Sequence, residues 1–250
     1  MSEGGISILL KAEPIFHIGS FSVTNTLLLS WITVVLLVVS GLTVSRAIKS
    51  VPGKLQNLFE SFVEGFLGLM EPVLGSRRLA EKYFPLVSSI FLFVLVSNWL
   101  GIFPILGALG FFEGSGGHRV FVPMFRSPAS DLNFTLALAV FSVIAVNVVG
   151  AKELGLFRYL GKYFNFSNPI NFFVGILEFF SEFAKMISFS FRLFGNIFAG
   201  EVLLIIMGVL SPFLAPIPFL FLEIFVGLIQ AFIFSMLTMV FIAGSVAESH

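Results

Sequence analysis

The chain has 250 residues, 57% of them hydrophobic and 11% charged, with 14 basic and 14 acidic side chains that cancel to zero net charge. A water-soluble globular fold cannot hide that much apolar surface, so the composition excludes one. Zero net charge argues against nucleic acid or an acidic partner as the target, and the absence of cysteine excludes disulfides, thiolate nucleophiles and cysteine-ligated metals.

Uncharged windows run over residues 19–45, 83–112, 132–151, 202–222 and 224–247. Each is long enough to cross about 30 Å of hydrocarbon at ~1.5 Å per residue. The expectation is an all-α polytopic membrane protein, one membrane domain over 1–250 with about five embedded helices and one interfacial amphipathic helix.

Residues 1–13 carry Glu3, Lys11 and Glu13 and lack the basic leader of a signal peptide, so the first span, 26–44, is expected to be retained. Arg46, Lys49 and Lys54 follow it. Over 55–74, Glu60, Glu64 and Glu71 interrupt Leu58, Phe59, Phe62, Phe66, Leu67, Met70 and Val73 at near-helical spacing. That pattern suits a helix lying at the interface; the alternative is a short helix docking on the protein's own spans.

The second span covers 84–109 and contains Asn98 and Pro104. Glycines and prolines over 107–128, with Glu113, His118 and Arg119, mark an aqueous loop. The third span, 132–150, holds Asn147, and Lys152, Glu153, Arg158 and Lys162 define the next polar loop. A long helix over 169–210, a turn at Pro212, Pro216 and Pro218, and a last helix over 217–246 complete the chain. Six basic residues between the first two spans and three after the third stand against one at the N-terminus and two in the 107–131 loop. The positive-inside rule then sets the N-terminus outside and the C-terminus in the cytoplasm.

The long helix over 169–210 carries its charges on one side. At ~100° per residue, Glu182, Lys185, Arg192 and Asn196 all fall within about 40° of Glu178. Gly175, Ser181, Ser188 and Ala199 flank this stripe and would let another helix approach closely. Glu201 points about 140° away from Glu178. In the last helix Glu223, Gly227 and Gln230 share a face, and antiparallel packing would bring Glu201 and Glu223 into one hydrated pocket, with Gln230 near Arg192.

A guanidinium remains charged at any physiological pH, and burying one near mid-bilayer costs roughly 2.5–3.5 kcal/mol on insertion scales. Blander readings exist: Arg192 as a staple to Glu201 or Glu223, Glu178, Glu182 and Lys185 as interfacial pairs, and Asn98 and Asn147 as helix-packing hydrogen bonds. His17, His118 and His250 do not form a metal site by position, and no nucleophile elbow or phosphate loop is present, so no metal, no cofactor and no ATP-converting active site are expected.

The run Ser190-Phe191-Arg192-Leu193-Phe194-Gly195-Asn196, with Ala199-Gly200-Glu201, and the run Gln230-Ala231-Phe232-Ile233-Phe234 resemble the signatures of subunit a of the F-type ATP synthase. Asn98-Trp99-Leu100-Gly101 and Ser130-Asp131-Leu132-Asn133 with Thr135 are similar to further segments of that family, so the resemblance covers nearly the whole chain beyond residue 84. It implies a static subunit that passes an ion, a proton, through two half-channels beside a rotating ring of c subunits and so couples the ion-motive force to ATP synthesis. Position by position, Arg192 matches the essential arginine facing the ring carboxylate. Glu201, Glu223 and Gln230 match ion-pathway positions, and Glu178, Lys185 and Asn196 align by their distance from Arg192. Glu182, Asn98 and Asp131 are taken with that pathway. Glu223 stands where the best-studied bacterial pattern has a histidine, which puts a relay copied from that version in doubt.

The resemblance further implies c-ring subunits, peripheral-stalk b subunits, the rest of the complex and lipid as partners. It also implies long tilted C-terminal helices and an energy-converting membrane, the bacterial plasma membrane. The alternatives are an ion-coupled secondary transporter, weakened by the lack of an internal repeat, and a structural subunit of a respiratory membrane complex.

Overall fold

Hydrocarbon offers no water to backbone amides, so an apolar segment satisfies them internally by closing into a helix. The computed structural model describes residues 12–19, 21–49, 51–103, 109–113, 120–161, 163, 169–211 and 214–247. In chain order the helices are α1 (Asn25–Ala47), α2 (Lys54–Leu74), α3 (Arg77–Ile102), α4 (Leu132–Leu154), α5 (Leu156–Gly161), α6 (Pro169–Leu210) and α7 (Pro216–Ala247). Among the described residues, five of these, all but α2 and α5, are long and apolar enough to cross a membrane. The chain is an all-α polytopic membrane protein. Lys11, Pro104, His118, Arg119, Lys162, Pro212, His250 and the glycine run over 114–117 lie outside the described residues.

Two short antiparallel strand pairs, which hydropathy does not reveal, accompany the helices, one before α1 and one between α3 and α4. β1 (Pro14–Ile18) pairs with β2 (Phe21–Thr24), and β3 (Gly110–Glu113) with β4 (Val120–Pro123) in the register Gly110↔Pro123 to Glu113↔Val120. α3 begins at Arg77, ahead of the apolar window, because the charged turn Arg77 to Lys82 is compatible with helix and only the hydropathy signal starts later. Pro85 lies inside α3, and its carbonyl accepts the Ser89 hydroxyl at 2.6 Å. At ~1.5 Å per residue α6, with 42 residues, measures about 63 Å, twice the hydrocarbon thickness, so it is too long to stand upright within one bilayer.

The chain divides into two compact units, each assembled from three stretches. The first comprises Met1–Val35, Val94–Thr135 and Arg192–Gln230. Here Asn25 and Thr26, both buried, anchor the start of α1: Asn25 Nδ2 donates to the Pro123 carbonyl at 3.3 Å, and Thr26 Oγ1 donates to Asp131 Oδ2 at 3.1 Å. Asp131 Oδ1 in turn accepts the Asn133 amide at 2.9 Å, the side-chain cap that satisfies an orphan N–H in the first turn of α4. On the other side of the same unit, Asn98 Nδ2 donates to the Gly227 carbonyl at 3.2 Å and Trp99 Nε1 to the Ile224 carbonyl at 3.1 Å, joining α3 to α7.

The second unit comprises Leu36–Phe93, Leu136–Phe191 and Ala231–His250. Phe62 and Phe66 of α2 pack on Phe91 of α3 with ring centroids 5.9 and 4.9 Å apart, so the middle of α2 docks on a long apolar helix, while Leu55, Leu58 and Phe59 near its start stay exposed. Arg77 bonds Glu64 at 2.7 Å, and that hydrogen bond with the guanidinium charge holds the Glu64 carboxyl below its ordinary range. Lys82 and Tyr83 of α3 both bond Glu153 of α4, the tyrosine at 2.6 Å. Phe189 of α6 lies against Phe234 and Phe241 of α7 at 4.9 and 5.5 Å.

α2 ends on Gly75, whose φ of 77° lets its N–H return to the Glu71 carbonyl at 2.9 Å. A side chain in that left-handed conformation costs about 1 kcal/mol or more. Gly75→Ala is therefore expected to lower the thermal midpoint of the purified protein in detergent. Gly65→Ala, at a helical site where an added Cβ meets nothing within 4 Å, is expected to leave it unchanged or raise it.

Candidate functional site

In the first unit the segment after β4 turns sharply. The Ser130 amide donates to the Ser127 carbonyl at 3.1 Å, the Ser130 hydroxyl to the same oxygen at 2.9 Å, and the Asp131 amide to the Pro128 carbonyl at 3.1 Å. This turn holds Arg126, only 8% exposed, with its Nε donating to Glu201 Oε1 of α6 at 2.9 Å. Glu201 Oε2 and Ser127 Oγ are buried with no hydrogen-bond partner among the described residues.

These groups line a cleft of about 470 Å³ walled by Phe103, Phe125, Ile197 and Leu220. Glu223 of α7, 6% exposed, completes it. Its carboxylate is seated on Gly200: a Cβ added there would stand 2.5 Å from the Glu223 carboxyl carbon. Two carboxylates and one guanidinium thus share a cleft in which two buried polar atoms lack protein partners, the condition under which ordered water is expected. Such a cleft can hold and pass water and protons.

Glu201 and Glu223, expected in one pocket, are together in this cleft. Glu201 takes its counter-charge from Arg126, a loop arginine that spacing within α6 could not supply. Asn98 is fully buried at the α3–α7 contact, with Oδ1 unpartnered among the described residues, and Gln230 is buried on α7. Asp131 does not line the cleft; it serves as the α4 cap. Arg192 and Asn196 are exposed, together with Gly195 and Ala199, while Leu193 and Ile197 on the opposite side of α6 are buried.

The second unit holds a different cluster. Glu182 Oε1 accepts the Lys185 ammonium at 2.6 Å, Glu182 Oε2 accepts Asn147 Nδ2 at 3.3 Å, and the ammonium lies 4.6 Å from the centroid of the Phe241 ring. Glu178, one turn before Glu182, is half-buried. The wheel that groups Glu178, Glu182, Lys185, Arg192 and Asn196 on one face therefore conceals a difference in exposure: Glu182 and Lys185 are partly covered, with contacts to α4 and α7, whereas Arg192 and Asn196 are exposed to a greater degree.

Sequence reasoning missed Arg126, Ser127 and Gly200. Arg126 counted only as a loop cation, although its place between Pro123 and Pro128 in an otherwise apolar run was an available signal. Gly200 needs knowledge of which residue of α7 faces it, and no pattern within α6 carries that.

Membrane-length helices bearing partly buried charge pairs and a polar cleft define a polytopic membrane protein built to handle ions rather than a passive anchor. The family model described as ATP synthase A chain matches residues 27–243, and the chain belongs to that family. The chain is 33% identical over 239 residues to ATP synthase subunit a of Moorella thermoacetica, covering 95% of this chain and 97% of that one. It is 37% identical over 222 residues to the Campylobacter concisus subunit a, with 88% of each covered, and 34% identical over 245 residues to that of Geobacter sulfurreducens, with 97% and 94% covered. It is accordingly a multi-pass membrane subunit of the ATP synthase complex, acting in the ion translocation that accompanies ATP synthesis.

The seat of Glu223 on Gly200 is directly testable. Gly200→Ala is expected to displace the carboxylate and slow ATP-driven proton pumping in reconstituted vesicles, and Glu223→Asp in the same chain, one methylene shorter, to restore part of the rate. A Gly200→Ala enzyme pumping at the parental rate would show that the seat is not needed.

Proposed function

We propose that this chain conducts protons through two offset aqueous half-channels beside a ring of c subunits, with Arg192 as the fixed charge met by the ring carboxylate. The observation that carries the reading is the sorting of charges along α6. Arg192 is exposed among the small residues Gly195 and Ala199; along α6 it follows Glu182 and Lys185, which meet Asn147, and precedes Glu201, which meets Arg126 in the cleft that also holds Glu223.

A small-residue surface bearing one cation suits close approach of a second helix carrying an anion. In this mechanism a ring carboxylate gives its proton to one half-channel, passes Arg192 as an anion and is reloaded from the other. Arg192 stabilises the empty carboxylate and keeps protons from leaking between the two paths. One charge moved through the membrane potential supplies ~2.3 kcal/mol per 100 mV. Glu201 and Glu223 hydrate and relay protons in the half-channel of the outer side, with Asn98, Asn196 and Gln230 beside the path. Glu178, Glu182 and Lys185 serve the cytoplasmic side. Asp131 acts through the turn that presents Arg126.

The same reading has peripheral-stalk b subunits as further partners. It sets the chain in a bacterial plasma membrane, N-terminus outside and C-terminus cytoplasmic, in keeping with the distribution of lysine and arginine.

Arg192→Ala in the reconstituted complex is expected to abolish coupled proton pumping and ATP synthesis; near-normal coupled rates would sink the mechanism. Glu223→Gln is expected to slow proton passage while the complex still assembles, and an unchanged passage rate would take Glu223 out of the path.

A further inference from the structure

Asn147 of α4 sits at the centre of a network in the second unit that ion conduction alone does not call for. Its Oδ1 accepts the Tyr159 hydroxyl at 2.6 Å and the Tyr163 hydroxyl at 3.1 Å. Its Nδ2 donates to the Val143 carbonyl at 2.7 Å and to Glu182 Oε2 at 3.3 Å. Two bonds received and two given use the full capacity of a side-chain amide. The reversed amide would turn its oxygen on a carbonyl and a carboxylate, so only one orientation is stable.

The tyrosines are themselves held. The buried Tyr159 ring lies on Gly150, one turn beyond Asn147, where an added Cβ would come within 2.5 Å of the ring and 3.1 Å of Ser245 Cβ. The Tyr163 ring stands edge-on to Tyr159 at 5.9 Å and to Phe179 of α6 at 6.5 Å. Glu182, at the end of this chain of contacts, holds Lys185 with its other oxygen. A two-bond carboxylate has little freedom left.

We propose that Asn147, backed by Tyr159 and Tyr163, is a positioning device for Glu182: the amide holds the carboxylate in one orientation beside Lys185 and thereby sets the rate at which protons pass that pair. The inference rests on the proposed function in taking Glu182 and Lys185 as part of the path. A lock that served folding alone would act through packing and would be indifferent to the Glu182 charge.

The test uses the whole ATP synthase in vesicles, measuring ATP-driven proton pumping, ATP hydrolysis and subunit content. Tyr159→Phe with Tyr163→Phe keeps both rings and removes only the hydroxyls. Pumping is expected to fall roughly two- to tenfold, the size that losing neutral hydrogen bonds sets, with subunit content unchanged. In a Glu182→Gln background the same two changes are expected to add nothing, because the groups act as one unit. Unchanged pumping overturns the inference, and so does an equal loss in both backgrounds, which would mark the tyrosines as packing alone. If the double variant does not assemble, Tyr163→Phe alone, at the less buried ring, carries the same cycle with the same criteria. Arg192→Ala measured alongside separates the two levels: coupled pumping that survives it removes the underlying reading, whereas its loss beside unaffected tyrosine variants removes only the role of Asn147.

Discussion

The pairing of Arg126 with Glu201 is the interaction around which the first unit is arranged. A carboxylate taken from water into an apolar surrounding costs several kcal/mol unless a counter-charge and hydrogen bonds are supplied, and removing one partner of such a pair leaves the other charge stranded at about 3–5 kcal/mol. The counter-charge of Glu201 on α6 is brought from the segment after β4. The turn at Ser127 to Ser130, the Asp131 cap and the hydrogen bond from Thr26 all support the short stretch that carries the guanidinium. The hairpin β3–β4, minor as secondary structure, ends three residues before Arg126 and so helps to aim it.

The intramembrane charges of this chain are accommodated in three ways. Glu201 with Arg126 and Glu182 with Lys185 are paired. Glu223 is packed against a glycine in a cleft with unpartnered polar atoms, which suits a group that meets water rather than a fixed cation. Arg192 is exposed on the side of α6 that also exposes Gly195 and Ala199, so its guanidinium lies at the surface of the chain rather than in a buried pair. The proposed proton route uses this division: pairs before and after in sequence, and between them an arginine exposed at the surface of α6.

Much of the fold could be read directly, for a simple reason. Hydrocarbon penalises every unsatisfied amide, so long uncharged windows have helix as their only economical outcome, and the five membrane-length helices follow from composition and length. Boundaries were less legible. α3 starts at Arg77 because a solvated charged turn extends a helix without raising hydropathy, and the hairpins at Pro14–Thr24 and Gly110–Pro123 are too short and too weakly patterned to stand out. In the site, Arg192, Glu201 and Glu223 were conspicuous because charge is expensive where they stand. Arg126 was not, because a cation in a loop normally costs nothing; only its partner makes it part of the site.

The amino-acid sequence by itself determined the membrane class, the number of long apolar helices, the family signature around Arg192 and the divergence of Glu201 from the Arg192 face. All of these depend on one residue's cost or on spacing within one helix. The tertiary structure decided what covers each polar group: that Glu201 takes its counter-charge from Arg126, that Glu223 rests on Gly200, and that Asn147 joins Tyr159 and Tyr163 to Glu182. Those contacts join residues from separate elements. Periodicity specifies which side of a helix a residue occupies, while the neighbour on that side is set by how several helices and a loop pack at once.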